Sequence, residues 1–246
     1  DVSVMRTTLA PSMFNICASN YSRGVKDASF YEIGKTYFPK SLPMTDTAIE
    51  KETLMIGVYG EKEDFYSLKS VIEALADRFN VNVDFVPSNE PFLHPYRQAF
   101  VKIDGKTAGY VGQLHPAVAK TRKFDPALYI AEIDLDVFID NALDFLPFVP
   151  VSKFPSIQRD LAFVVSEDVY AGDMLKAIYA NGGAYLRQAS IFDVYTGVGV
   201  LPGKKSIAFN LLFRKDDGTL DGEEVNKAVD SVLTAMAETF GAKLRD

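Results

Sequence analysis

The sequence has little of what disulfide scaffolds and metal sites require. Its 246 residues include one cysteine, two histidines and no tryptophan. A single cysteine excludes an internal disulfide and is typical of a reducing compartment, and Cys17 lies in an apolar helical pattern, so we expect a small buried residue. Because His94 and His115 each precede a proline and no HxxxH or CxxC spacing occurs, we expect a turn or a helix start at both, and no metal.

Motifs that hold phosphates or build a hydrolase site are also absent. There is no GxxxxGK followed by Ser or Thr, no GxGxxG and no GxSxG, so the usual support for a phosphate loop, a dinucleotide site or a serine hydrolase is missing. No apolar run approaches the roughly 20 residues of a membrane helix, so no membrane partner is expected. The residues after Asp1 resemble the interior of a domain, so we expect a piece of a longer protein.

The sequence also lacks an excess of positive charge. The net charge is −7, which argues against broad, non-specific binding of nucleic acid but leaves room for a focused site. Acidic residues concentrate on one predicted C-terminal helix, whereas basic residues fall at predicted strand ends. Those basic residues are Arg159, Lys204, Lys205, Arg214, Lys243 and Arg245.

The length of the chain fits one medium and one small domain. The stretch FLPFVPVSKFPS carries Pro147, Pro150 and Pro155, whose spacing stops both a helix and a central strand. We therefore predict an extended linker there and two domains, 1–148 and 149–246.

The second domain has the element order βαββαβ, with strands at 159–165, 189–195, 206–214 and 242–245 and helices at 173–180 and from Asp221. Asp221 and Glu224 form a predicted capping box, and Gly241 a predicted helix end. This order is that of a ferredoxin-like unit, with helices on one face of the sheet and the other face open. In the first domain, helices and antiparallel strands are interleaved without βαβ regularity, so the fold class is α+β. Residues 99–114 predict a hairpin there, with Asp104 and Gly105 in a type I′ turn.

The most informative stretch is IFDVYTG, residues 191–197. Period-two alternation predicts that Phe192 and Val194 face the core while Asp193 and Tyr195 share the open face. A ring and a carboxylate about 6.6 Å apart can stack on a base and accept a hydrogen bond from its edge. This is a pattern for binding and not for catalysis.

Small residues on the neighbouring strands point the same way. Ala162, Ser206 and Ala208 alternate with core residues and face outward, where they would form a shallow platform for a flat base. Plain solvent-facing strand positions are the alternative, and the pattern alone does not separate the two.

Several motifs in series give the chain a specific resemblance. KFPSIQRDLAFVV, FDVYTG, GKKSIAFNLLFR, GTLDGEEV and AKLR resemble the anticodon-binding domain that ends the β subunit of bacterial phenylalanyl-tRNA synthetase. MRTTLAPSM, SFYEIGKTYF, DFYSLKSVIEAL, HPYRQA and GYVGQLHP resemble the catalytic-like module of the same subunit, in the same order. The resemblance covers nearly the whole chain and only the C-terminal part of such a subunit.

The catalytic-like module is similar to a class II synthetase core with an antiparallel sheet. In such cores an F-R-x-E strand presents an arginine to ATP, but SFYEIG has Phe30 two residues before Glu32, where that arginine would stand. The resemblance therefore implies an inactive module with no cofactor in this chain. Arg6 and Glu32 are then fold or interface residues, and the catalytic α subunit holds ATP and Mg²⁺ in an α₂β₂ assembly in the cytoplasm.

For the second domain the resemblance implies binding of the anticodon of phenylalanine tRNA. The positions that match are Asp193, Tyr195, Ala162 and Ser206. Arg245, and then Lys243, Arg214 and Lys204, are the candidates for contacts with backbone phosphates.

Two other functions stay open at this point. An ACT-like regulatory module of the same βαββαβ order would bind an amino acid near loop glycines and helix edges, away from Tyr195. A freestanding transferase would place its active site within residues 1–146, although no paired nucleophile, base or metal cluster is visible there.

Overall fold

The computed structural model describes residues 4–142, 148 and 150–245. The chain divides into two compact units, Asp1–Pro147 and Phe148–Asp246. The predicted boundary between residues 148 and 149 stays a prediction, because it and much of the predicted linker fall on or beside residues 143–147 and 149, which lie outside the described residues.

The first unit is built on a six-stranded sheet in which every pair of neighbours is antiparallel. Its strands are β1 (Ala28–Phe38), β2 (Ile49–Tyr59), β3 (Val83–Pro87), β4 (Leu93–Ile103), β5 (Lys106–Leu114) and β6 (Tyr129–Asp134), and its helices are α1 (Ala10–Ser22), α2 (Phe65–Phe79), α3 (Pro116–Lys120) and α4 (Leu135–Asp140). The strand order across the sheet is β1-β2-β6-β5-β4-β3.

Both faces of this sheet are packed. Along β2, Leu54 and Ile56 join a core with α2 and α4, whereas Met55 and Tyr59 join a second core with α1 and α3. Cys17 of α1 is fully buried in the second core, as predicted, and burial raises the pKa of its thiol to about 12. The second half of β2 is a continuous buried run, which is typical of a strand that is covered on both faces of its sheet.

Local chemistry accounts for the connections. Asp104 and Gly105 both have positive φ, 47° and 75°, which is the type I′ turn predicted for the β4–β5 hairpin. His115 caps α3, because its Nδ1 accepts a hydrogen bond from the amide of Ala117 at 3.1 Å. Sequence patterns missed β3, a short strand at the sheet edge, and α4, whose cap Asp134 is also the last residue of β6.

The second unit has the predicted order βαββαβ. Its elements are β7 (Ile157–Ser166), α5 (Ala171–Asn181), β8 (Leu186–Tyr195), β9 (Lys204–Phe213), α6 (Gly222–Phe240) and β10 (Lys243–Leu244). The sheet order is β10-β7-β9-β8 with antiparallel neighbours, which confirms the ferredoxin-like topology and the α+β class.

The two helices of this unit pack on one face of its sheet. Phe163 of β7 and Phe209 of β9 meet Ile178 of α5 and Val232 of α6 in one core. Asp221 and Glu224 form the predicted capping box, and Gly241 ends α6 in the left-handed conformation. Within the described part of the unit no helix covers the opposite face, which is the face of interest below. No helix among the described residues of the chain has the length and apolarity that a bilayer span requires.

The close approach of β5 and β6 makes Gly109 a test of the first unit. A Cβ added to Gly109 would overlap the carbonyl oxygen of Glu132 and lie 2.9 Å from its carbonyl carbon. Since backbone must move, we expect Gly109→Ala to destabilise the first unit by about 1–3 kcal/mol in urea unfolding followed by circular dichroism. Gly172→Ala, with nothing within 4 Å of the added atom, is the matched control, and equal stability of the two variants would contradict the expectation.

Candidate nucleic-acid interface

The strand register brings the predicted site residues into two adjacent rows across the open face. Paired residues on neighbouring antiparallel strands point to the same side of a sheet. The first row consists of Tyr195, Ser206, Val164 and Lys243. The second row consists of Asp193, Ala208, Ala162 and Arg245, the last through its amide, which donates to the carbonyl oxygen of Ala162 at 2.8 Å.

A bulge in β8 keeps Asp193 and Tyr195 on that face. The register shifts between Ile191 and Asp193, which leaves Phe192 without a partner. Strict alternation through this stretch is therefore wrong. Val194 pairs with the core residue Ile207 and so points to the helix side, as expected, although it is exposed at the sheet edge, whereas Phe192 is unpaired and exposed. A bulge adds one residue to a strand, so residues beyond it change face relative to a regular strand.

The Tyr195 ring is held by three neighbours. Its Oη donates to the carbonyl oxygen of Val198 at 3.3 Å, and Gly197 lies directly against the ring. The Cζ atom of Arg245 lies 5.4 Å from the ring centroid, within the range of a cation–π contact. Tyr195 nevertheless remains 37% exposed, so ring surface stays available to a ligand.

The small residues on β7 and β9 leave room for the contact between Arg245 and Tyr195. β10 and β8 are separated by three strand spacings, about 14 Å, and only two long side chains that reach toward each other can span that distance. Ala162, Ser206 and Ala208 form the floor beneath them. Ser206 is 3% exposed and Ala208 is 8% exposed, which differs from the expectation of an open platform, because in the free protein larger neighbours already lie over them.

The four predicted basic residues do not form one cluster. Lys243 and Arg245 belong to the two rows, and Lys204 is exposed two residues before Ser206 on β9. Arg214 follows the other end of β9, about 26 Å along the strand from Ser206, where it shares Asp216 with Arg187 at 3.4 and 2.9 Å. The structure therefore separates Arg214 from the other three.

Asp168 partly offsets the positive charge near Lys204. A hydrogen bond from Ser166, followed by smaller effects that include the charges of Lys204 and Lys205, lowers the pKa of Asp168. The Nζ of Lys205 donates to the carbonyl oxygen of Glu167 at 2.8 Å. Of the basic residues near the rows, Arg245 thus has the position best suited to a ligand on Tyr195.

Sequence reasoning missed a third polar row. The Nδ2 of Asn210 donates to the Oδ1 of Asp160 at 2.7 Å, and Ser190 pairs with Asn210 from the other side. Alternation places Asp160 and Asn210 outward, but the bulge at Phe192 is needed to put Ser190 on the same face as Asp193. Only the register of β7, β9 and β8 brings the three residues into one line beside Asp193.

The first unit uses its polar residues to hold the chain together. Arg6 forms an ion pair with Glu32 at 2.9 Å and donates through Nε to the carbonyl oxygen of Lys35. Phe30, at the position of the missing arginine, packs against the core formed with α1. These are the fold contacts that we expected for Arg6 and Glu32.

A cavity of about 450 Å³ lies between α1, α3 and the sheet of this unit. Its polar end is Glu132, a residue that the sequence did not single out. One oxygen of Glu132 accepts from Thr8 Oγ1 at 2.5 Å, from the Leu9 amide at 3.0 Å and from Tyr110 Oη at 3.4 Å. Burial, followed by the charge of Glu132, raises the pKa of Tyr110. This carboxylate ties the segment before α1 to the sheet.

Comparison with known proteins covers both units. Residues 1–135 match the family model described as the phenylalanyl tRNA synthetase beta chain CLM domain. Residues 152–245 match the model of the ferredoxin-fold anticodon binding domain.

Curated relatives agree along the whole chain. The phenylalanine–tRNA ligase beta subunit of Clostridium tetani is 36% identical over 251 residues, which cover 100% of this chain and 31% of that protein. The beta subunits of Streptococcus thermophilus (strain CNRZ 1066) and Geobacillus kaustophilus are 34% and 35% identical, with 100% and 99% of this chain and 32% of each relative covered. The chain spans about a third of the length of these relatives. The chain belongs to the phenylalanyl-tRNA synthetase beta chain family, of which it carries the CLM domain followed by the ferredoxin-fold anticodon-binding domain.

Proposed function

We propose that the open face of the second unit binds the anticodon of phenylalanine tRNA. The observation that carries this proposal is the two-row arrangement, in which Tyr195 and Asp193 lie side by side with Arg245 over the Tyr195 ring. Membership of a family that carries an anticodon-binding domain supports the proposal. No observation favours the ACT-like amino-acid-binding module.

Each group in the two rows has a separate task. Tyr195 stacks on one unpaired base, for about 1–3 kcal/mol. Asp193 accepts hydrogen bonds from that base's edge, which selects guanine over bases that lack donors there. Ala162 and Ser206 form the floor beneath the Tyr195 and Arg245 side chains and so support the surface on which the base lies.

The basic residues then contact the phosphate backbone of the RNA. Arg245 meets any base that stacks on Tyr195, because its guanidinium already lies over the ring, and it provides a charged contact for the adjoining phosphate. Lys243 and Lys204 follow at the same end of the sheet. Arg214, at the opposite end and paired with Asp216, has the weakest support as a phosphate contact.

The first unit acts as a non-catalytic support. We propose that it contacts the catalytic α subunit of an α₂β₂ enzyme in the cytoplasm, and that this assembly uses ATP and Mg²⁺ to charge tRNA with phenylalanine. Phe30, which packs against a core, supports the assignment of the chemistry to the partner, because no guanidinium stands at that position to hold ATP phosphates.

Loss of the ring tests the stacking role. We expect Tyr195→Ala to weaken binding of the phenylalanine tRNA anticodon stem-loop by at least about tenfold, since one stacked base is lost. Fluorescence anisotropy with the 246-residue chain measures the affinity. Tyr170→Ala, an exposed tyrosine before α5, is the control, and an affinity unchanged by Tyr195→Ala at equal thermal stability would contradict the proposal.

Replacement of the carboxylate tests base choice. Asparagine keeps one acceptor but turns an amide donor toward the donors of guanine, so Asp193→Asn should reduce discrimination among stem-loops that differ at one anticodon base by about tenfold. Ratios of affinities are compared, because removal of a negative charge raises affinity for every RNA. Asp230→Asn on α6 should leave these ratios unchanged, and an unaltered preference in Asp193→Asn would count against the role of Asp193.

Salt dependence tests Arg245. If its guanidinium contacts one phosphate, Arg245→Gln lowers the slope of log affinity against log salt by about 0.7, the value for one contact with a single strand. Lys227→Gln on α6 is the control, and its slope should match that of the unaltered chain. An unchanged salt slope in Arg245→Gln would show that Arg245 does not contact a phosphate.

A further inference from the structure

The residue that follows the tyrosine by two positions shapes the site. Gly197 lies in the loop between β8 and β9, and a Cβ added to it would overlap the Oη and Cζ atoms of Tyr195 and lie 2.8 Å from Cε2. All three atoms belong to the outer half of one ring. The ring therefore lies directly against the Gly197 backbone.

The backbone of Gly197 does not need glycine for its own conformation. Gly199 and Gly203 in the same loop have positive φ, 93° and 75°, whereas Gly197 is not among the glycines with positive φ. Its φ is therefore outside the left-handed region that favours glycine. The Tyr195 ring is thus the obstacle to a side chain at this position.

The loop also indicates that a side chain at position 197 would displace the Tyr195 ring and not the backbone of the loop. The carbonyl oxygen of Gly197 accepts from the amide of Val200 at 3.1 Å, which closes a turn, and the Oη of Tyr195 donates to Val198 within that turn. A hydrogen-bonded turn resists displacement more than a partly exposed side chain does. A methyl group at Gly197 would therefore displace the ring into another rotamer and away from Arg245.

We propose that Gly197 is a positioning residue that sets the plane of the Tyr195 ring for base stacking; the inference rests on the proposed anticodon function. The absence of a side chain lets the ring settle on the turn, where Val198 and Arg245 hold it before any ligand arrives. A ring ordered in advance loses less rotational freedom on binding, so binding is tighter.

The experiment has one arm with RNA. Gly197→Ala should weaken binding of the phenylalanine tRNA stem-loop to the 246-residue chain by about tenfold, as loss of the stacking partner does. In the Tyr195→Ala background the same change should have no further effect, because its target is gone. Gly218→Ala, whose added Cβ meets nothing within 4 Å and whose φ is not positive, is the matched control.

A second arm needs no RNA. The Arg245 side chain lies over the Tyr195 ring, so we expect the ring current to shift its protons upfield in the unaltered chain. Gly197→Ala should remove that shift while the melting temperature stays the same. Retention of the shift in Gly197→Ala overturns the inference whatever happens with RNA. So does full affinity of Gly197→Ala beside weak binding by Tyr195→Ala. If instead Tyr195→Ala binds normally, the proposed anticodon function fails, and the upfield shift alone decides whether Gly197 places the ring.

Discussion

The pairing of β8 with β9 determines the site. Through it Tyr195 faces Ser206 and Asp193 faces Ala208, and the core residues Ile207 and Phe209 fix which side of β9 points outward. A shift of one residue would turn the ring and the carboxylate toward the helices. The bulge at Phe192 is part of the same constraint, because the strand beyond it keeps its outward residues only by leaving one residue unpaired.

Under the proposed function, this pairing also explains how a chain of negative net charge can present a site for RNA. The net charge of −7 is spread over the whole chain, whereas Arg245 reaches across two strands, β7 and β9, to one ring, with small residues beneath it. Under the proposed function, Asp193 beside it offers an acceptor to a base and repels phosphate. Local placement, and not total charge, sets what the surface attracts.

Much of the fold could be predicted because its signals are local. Asp221 with Glu224, Asp104 with Gly105, and Cys17 in an apolar helical pattern each depend on a few neighbouring residues, and each was placed correctly. The non-local features could not be predicted. The bulge at Phe192 depends on packing against β9, the distance of Arg214 from the rows depends on strand direction and length, and the contact of Arg245 with Tyr195 joins two edges of a sheet. The stacking and acceptor roles of Asp193 and Tyr195 came from residue type and resemblance and remain proposals.

The strand that is buried on both faces has a consequence for the synthesis of the protein. β2 pairs on one side with β1, which precedes it, but on the other side with β6, and the ion pair between Lys51 and Asp134 joins residues 83 positions apart. At about 5–20 residues per second on a ribosome, β2 waits several seconds with one apolar edge unpaired. Until then β2 has only β1 as a pairing partner, and a two-stranded pair on its own is at best marginally stable in water. The first unit is therefore prone to aggregation while it is being synthesised, and the time until β6 is made sets how long that risk lasts.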